Sequence, residues 1–235
     1  MTTLRFFDLP EETVLTMNST ATVQRRHIGR LALASALLFS AAAFFVSPVR
    51  AADEAPDALV QRISGDVLDT IKADKSIKAG DIDKIMLLVD SKIMPNVNFQ
   101  RMTASAVGPA WRQATPEQKK RLQDEFKVLL VRTYAGALDQ VSNQTVNVRP
   151  FRGSVDDKDV LVRTEIRGGG DPVQLDYRLE KTPGEGSGWK VYNLNVLGVW
   201  LVDTYRTQFA QQINSQGIDG LIAALAARNK TNNKS

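Results

Sequence analysis

Carboxylates at short spacing are the first place to look for chemistry in this chain. Asp81 and Asp83 stand two apart, and Asp156, Asp157 and Asp159 crowd one polar stretch. Such groups can share a proton or hold a divalent cation. The first pair, however, opens an apolar-periodic segment, where acids favour the positive end of a helix dipole. The second lacks the ligand spacing and terminal Glu of an EF-hand loop. Both read as solvated structural acids. Gly168-Gly169-Gly170 has neither a following helix start nor a Lys-Ser/Thr pair, so it is no phosphate cradle. Lys119-Lys120-Arg121 is basic, but Lys120 with Asp124 and Glu117 with Arg121 lie four apart, the spacing of ion pairs on the wet face of a helix. Tyr134 and Tyr177 are the natural members of an Asp/Tyr acid–base site, and an exported, isomerase-like α+β enzyme built on them is the alternative function. Other reactive groups are scarce. There is no Cys, and the single histidine, His27, falls in a segment read below as removed. That excludes disulfides, thiolate metal sites, Cys nucleophiles, His triads and His-ligated zinc. No catalytic residue, metal or cofactor is expected.

Arg25, Arg26 and Arg30 precede an apolar run, Leu31 to Val46, followed by Ser47-Pro48-Val49-Arg50-Ala51-Ala52-Asp53. This is the secretory pattern of basic region, apolar region and small-residue cleavage site, with the cut expected after Ala51 and export of the remainder. The run is shorter than the ~18–20 residues that span a bilayer comfortably. Residues 1–24 fit poorly before it; Met17 would begin a conventional leader. Arg25-Arg26 lacks the flanking Ser and Phe of a twin-arginine signal, so the Sec route is expected. Residues 1–51 carry 5 of the 30 basic and 3 of the 26 acidic side chains, which leaves 25 against 23. That near balance gives no electrostatic footprint for nucleic acid. The expected organisation is a signal peptide over 1–51, one α+β domain over 52–228 and a frayed tail over 229–235.

The exported part divides into a helical half and a strand half. Ala58 to Ile77 has helical spacing through Leu59, Ile63, Val67, Leu68 and Ile71. Asp81 opens a second helix that Pro95 closes, and Phe99 to Ala106 forms a short third. The clearest helix runs from Thr115 to about Val141. Thr115 is its N-cap, Pro116 takes the first helical position and Gln118 completes a capping box. From Asn143 the period changes to two, through Val146 and Val148, Val160 to Ile166, Val173 to Leu179, and Trp189 to Val196. Helical signal returns over Leu201 to Ile213 and Ile218 to Ala227. Helices, antiparallel strands, then helices predict an α+β fold. Its curved antiparallel sheet of four strands, or slightly more, carries helices on its apolar face. Such a sheet can form a packed core or curl around a cavity.

Several stretches, in order, resemble the MlaC, or toluene-tolerance auxiliary, family of periplasmic phospholipid-binding proteins. They are Met94-Pro95-Asn96-Val97-Asn98-Phe99, Ala114-Thr115-Pro116-Glu117-Gln118, and Phe126 through Thr133-Tyr134-Ala135-Gly136-Ala137-Leu138. Trp189-Lys190-Val191-Tyr192-Asn193, Gly198-Val199, Thr204-Tyr205-Arg206 with Phe209, and Gly217-Ile218-Asp219-Gly220-Leu221 follow. The likeness spans about Ile82 to Leu225. Asn193 stands where the family often has Asp, and Trp200 where it often has Ser; Trp200 could alter a cavity mouth.

The resemblance implies a soluble periplasmic shuttle carrying diacyl phospholipid between outer and inner membranes, as one component of an ABC transport system; a monomer is expected. It also implies an outer-membrane lipoprotein complex and an inner-membrane MCE protein as partners. Acyl chains would lie in an apolar cavity, with the headgroup near solvent. At ~0.8 kcal/mol per methylene, two chains of about 30 methylenes cost on the order of 20–25 kcal/mol to expose to water. A carrier must replace most of that environment. The residues expected to line it are Val89, Ile93, Phe99 and Met102 from the early helices, and Phe126, Leu130, Tyr134 and Leu138 from the long one. The sheet adds Val146, Val148, Val160, Val162, Ile166, Leu175, Tyr177 and Val191; the late helix adds Leu201, Tyr205 and Phe209. Besides the enzyme alternative, a protein-interaction adaptor with a solid core fits the same pattern.

Overall fold

The computed structural model describes residues 54–231, with 155, 169 and 170 excepted, so the leader, His27 and the cleavage position lie outside the described residues. Pro56 takes the first helical position of α1 (Pro56–Ala73). Asp74 then turns extended and accepts from Ser76 N at 2.8 Å, which ends α1 and starts the short α2 (Lys75–Lys78). One helix was expected there. The acid pair is a cap: Asp81 Oδ1 accepts from Asp83 N and Lys84 N, both at 3.1 Å, at the start of α3 (Ile82–Leu88). Beyond Leu88 the helix widens into a π-helical turn, Val89–Ile93, and tightens into a 3-10 turn, Met94–Asn96, rather than running evenly to Pro95. After α4 (Phe99–Val107), the Thr115 capping box forms with both arms, Gln118 N to Thr115 Oγ1 at 3.2 Å and Thr115 N to Gln118 Oε1 at 3.0 Å. It opens α5 (Pro116–Tyr134).

Two boundaries differ from expectation. The α5 segment stops at Tyr134 and tightens into a 3-10 turn, Ala135–Leu138, so it spans about 28 Å rather than 40. Gly136, which loses the most backbone entropy in a helix, sits in that turn. The last helix, α6 (Leu201–Thr231), is broken at Gly217, whose φ of 70° only glycine adopts cheaply. It also outlasts the tail expected from 229. Asn229 is buried, and its Nδ2 donates to Glu125 O at 2.9 Å and Glu125 Oε2 at 2.8 Å, which ties the final turn to α5.

The strands form one curved antiparallel meander in the order β1 (Thr145–Val148), β2 (Asp159–Arg167), β3 (Val173–Lys181), β4 (Trp189–Val196) and β5 (Val199–Trp200). Gly168, at φ 105°, closes the β2 end so tightly that a Cβ there would lie 2.9 Å from Asn143 O. Leu179 faces Val191 but Arg178 faces Asn193, so Tyr192 is an extra residue in β4. That bulge reverses the alternation of β4 from there on.

Three apolar clusters hold the parts. Phe126, fully buried, is the hub of the α4–α5–α6 core, with ring centroids 4.9 Å from Tyr205, 5.2 Å from Phe209 and 5.8 Å from Phe99. The α1 residues Leu59 and Val60 cover Val160, Val162, Leu179, Trp189 and Val191 of the sheet. A third cluster joins α1, α2 and α3 to the end of α5. The bundle is pinned to the sheet by polar groups. Asn98 N donates to Val191 O at 2.8 Å, Arg101 binds Glu180 and lies over the Tyr192 ring at 3.5 Å, and Tyr192 Oη donates to Asp159 at 2.8 Å.

Candidate functional site

Alternation places Val146, Val148, Val160, Val162, Thr164, Ile166, Val173, Leu175, Tyr177 and Leu179 on one face of the sheet, and the register lines them up across strands. Val146 faces Ile166, which faces Val173; Leu175 faces Val196; Tyr177 faces Leu194. Helix α1 crosses this face from Asp57, whose Oδ2 accepts from Phe151 N at 3.0 Å, to Lys72, whose Nζ donates to Gln144 O at 2.7 Å beside the start of β1. Val160, Val162 and Leu179 are buried beneath it, whereas Val146, Val148, Ile166, Val173, Leu175, Tyr177, Leu194 and Val196 remain half-buried. The polar atom at the boundary is satisfied within the strands, since Thr164 Oγ1 donates to Leu175 O at 2.7 Å. A contiguous apolar surface thus runs out from the core to the free end of the sheet.

The helical residues named from sequence divide in the same way. Phe99, Met102, Phe126, Leu201, Tyr205 and Phe209 are buried, five of them packed together in the aromatic core and Leu201 at the start of α6. Val191 is buried with Val160 and Val162 under α1. Val89, Ile93, Leu130 and Leu138 are half-buried, and Tyr134 is 38 % exposed. The π turn that carries Val89 and Ile93 is tied to α5 by Lys127 and Asp90 at 2.7 Å. Sequence reasoning named neither Leu194 nor Val196. The bulge at Tyr192 turns them inward, and no local signal in β4 announces that reversal. Val173 was legible from the alternation of β3 alone.

The acid–base alternative loses its geometry here. Tyr177 points to the apolar face and Asp176 to the other, as neighbours in one strand must. Burial pushes the Tyr177 hydroxyl up in pKa, against the pull of Ser64 and Thr164, and burial with the nearby Tyr205 does the same to Tyr134. Both stay protonated near neutrality, so neither is a base. Asp157 and Asp159 are engaged by Ser154 N at 2.9 Å and by Tyr192. Among the described residues no group of three or more acidic side chains is placed to hold a metal ion. Trp200 faces Asn195 on the outer side, under the Arg178 guanidinium at 4.6 Å, so it does not reach the apolar face. Asn193 is a remote helix cap, its Oδ1 accepting from Leu194 N at 2.9 Å and from Val202 N, at the start of α6, at 3.2 Å. Lys120 pairs with Asp124 at 2.5 Å as its spacing predicts; Glu117 is instead held low in pKa by its own backbone N–H and the Thr115 hydroxyl.

A sheet with one apolar face, part of it buried under a helix and part half-open, is a surface suited to apolar groups. The chain belongs to the MlaC family, whose model, "MlaC protein", matches residues 61–227. It is 27 % identical over 191 residues to the intermembrane phospholipid transport system binding protein MlaC of Haemophilus influenzae, covering 80 % of this chain and 89 % of that protein. Against the toluene tolerance protein ttg2D of Pseudomonas putida it is 31 % identical over 185 residues, covering 78 % and 83 %. The fold is similar to the structure of the phospholipid-binding protein from Ralstonia solanacearum in complex with a phospholipid. The TM-score is 0.72 at 49 % identity, with 76 % of this chain and 98 % of that one covered.

Proposed function

We propose that this protein is a periplasmic phospholipid-binding shuttle of an Mla-type transport system. The observation that carries the reading is the half-roofed apolar face, in a chain 49 % identical to a protein solved with a phospholipid bound. Acyl chains would lie along Val146, Val148, Ile166, Leu175 and Tyr177 of the sheet. Leu130, Tyr134 and Leu138 of the α5 end, with Val89 and Ile93 of the π turn, would supply the opposing side. The buried residues Phe99, Met102, Phe126, Val160, Val162, Val191, Leu201, Tyr205 and Phe209 would support that surface from behind. Carbon touching carbon in this way substitutes for the 20–25 kcal/mol (on the order of) that the chains would lose in water. The headgroup stays at the free end, beside solvent.

Such a carrier performs no bond chemistry. Direction comes from affinity differences along the route, between an outer-membrane lipoprotein complex and an inner-membrane MCE protein coupled to an ATPase. The leader would be removed after Ala51 to release the shuttle into the periplasm. Native mass spectrometry of the mature protein, followed by organic extraction, tests the reading. A stoichiometric phospholipid adduct supports it, and folded protein that is free of lipid after purification from cells, and takes none up from vesicles, contradicts it.

A further inference from the structure

The outer face of the sheet carries a second feature, unrelated to the apolar one. Leu161 and Arg163 alternate with the buried Val160 and Val162, so they point away from the apolar face. With Arg149, Pro150 and Arg152 they line a pocket of about 400 Å³. That volume falls within the range of about 300–1,000 Å³ typical of small-molecule sites.

Its charge is unusual for a sheet surface. Arg149 N donates to Arg163 O at 2.9 Å, which continues the β1–β2 ladder and sets the two arginines directly opposite each other. Like charges so placed repel at close range. Arg152, from the following loop, adds a third. Among the described residues, Glu165 is the one acid in an ion pair with them, and it is shared between Arg149 and Arg167. Asp176, the neighbour of Arg163 on β3, accepts instead from Gln174 Nε2 at 2.7 Å. Among the described residues, Arg152 and Arg163 make no ion pair. Three arginines lining one hollow, against the shared Glu165 and the Asp176 carboxylate beside Arg163, suit an oxyanion with several acceptor oxygens. A phosphate group engages several forks at once, whereas a single carboxylate satisfies one.

The geometry points to a phosphate-binding pocket on the outer sheet face, formed by Arg149, Arg152 and Arg163 and separate from the acyl-binding surface. A lipid lying on the apolar face cannot place its own headgroup there, because the sheet stands between. The phosphate comes either from solution or from the headgroups of a membrane that the protein approaches.

The mature protein titrated with inorganic phosphate, at ionic strength matched with chloride, tests this by calorimetry. Saturable binding is expected, weakened about tenfold or more by Arg163→Gln and by Arg152→Gln, since each removes charge-assisted hydrogen bonds. Glu165→Gln, which releases Arg149, should tighten it. Extracted phospholipid per protein should be unchanged in all three variants. Retention on phosphatidylglycerol vesicles but not phosphatidylcholine vesicles, lost in the same arginine variants, assigns the source to headgroups; phosphate binding without vesicle retention assigns it to soluble phosphate. Either result supports the site. No saturable phosphate binding, equal binding in wild type and both arginine variants, or binding only to an acidic polypeptide such as polyglutamate would overturn it.

Discussion

Tyr177 on β3 and Ser64 on α1 meet through their hydroxyls at 3.4 Å, between buried and half-buried residues of the apolar face. On one side of that contact, Val160, Val162 and Leu179 are buried under Leu59 and Val60. On the other, Leu175, Ile166 and Val146 keep part of their surface. One face is therefore packed core in one part and half-open in the other, and substitutions on either side of Tyr177 should have different consequences.

Leu175→Asp should leave a folded protein with little bound phospholipid, because the charge sits among half-exposed apolar groups and is incompatible with acyl chains. Val162→Asp, two residues from the same row but 1 % exposed, should instead lower stability by several kcal/mol through burial of an unpaired charge. Circular dichroism melts alongside lipid extraction separate the two effects. Equal lipid loss with equal destabilisation would refute the division.

Removing the aromatic hub should act on stability alone. Phe126→Ala is expected to cost about 3–5 kcal/mol, given full burial against three other rings. Urea unfolding measures it; a loss below about 1 kcal/mol would show that the bundle core is not the tightly packed body described here.

Asn193→Ala should cost about 1–2 kcal/mol, as the loss of a helix cap does, while Asn193→Asp should be nearly neutral or stabilising. The aspartate retains the acceptor for Leu194 N and Val202 N and adds negative charge at the positive end of α6. Chemical denaturation of both variants decides this, and an aspartate as damaging as alanine would refute the capping role.

The Tyr192 hydroxyl, pushed up to about 12 by burial and by its hydrogen bond to Asp159, gives a pH test with a definite sign. A tyrosine with a folded value above its unfolded one stabilises the fold below about pH 10, and that contribution is lost as pH rises towards 12. Discounted for partial exposure, the loss is on the order of 1–2 kcal/mol. The wild type should therefore be more stable than Tyr192→Phe at pH 8, with the gap closing between pH 10 and 12. A gap that widens with pH would contradict the assignment.

Some of this was legible in the sequence because it is local. Thr115, Pro116 and Gln118 announce the start of α5, Asp81 announces α3, and the alternation of β2 and β3 fixes which side chains share a face. Depth is not local. Period two says that Val162 and Leu175 point the same way, but only the position of α1 makes one core and leaves the other half-open. The inward turn of Leu194 and Val196 depends on an extra residue opposite Arg178, a tertiary event without a sequence signature. The burial of Asn229 likewise depends on Glu125, a hundred positions away, so nothing local sets Asn229 apart from the polar residues around it.

Gln174 and Leu175 are adjacent in β3 and point to opposite faces, which makes them a matched pair for locating the ligand. A photoreactive phenylalanine analogue placed at each position in turn, activated in protein freshly isolated from cells and analysed by mass spectrometry, tests the central claim most directly. A phospholipid adduct from position 175 and none from 174 is the predicted result. Adducts from 174 alone, or from neither position in protein that still carries lipid, would contradict it.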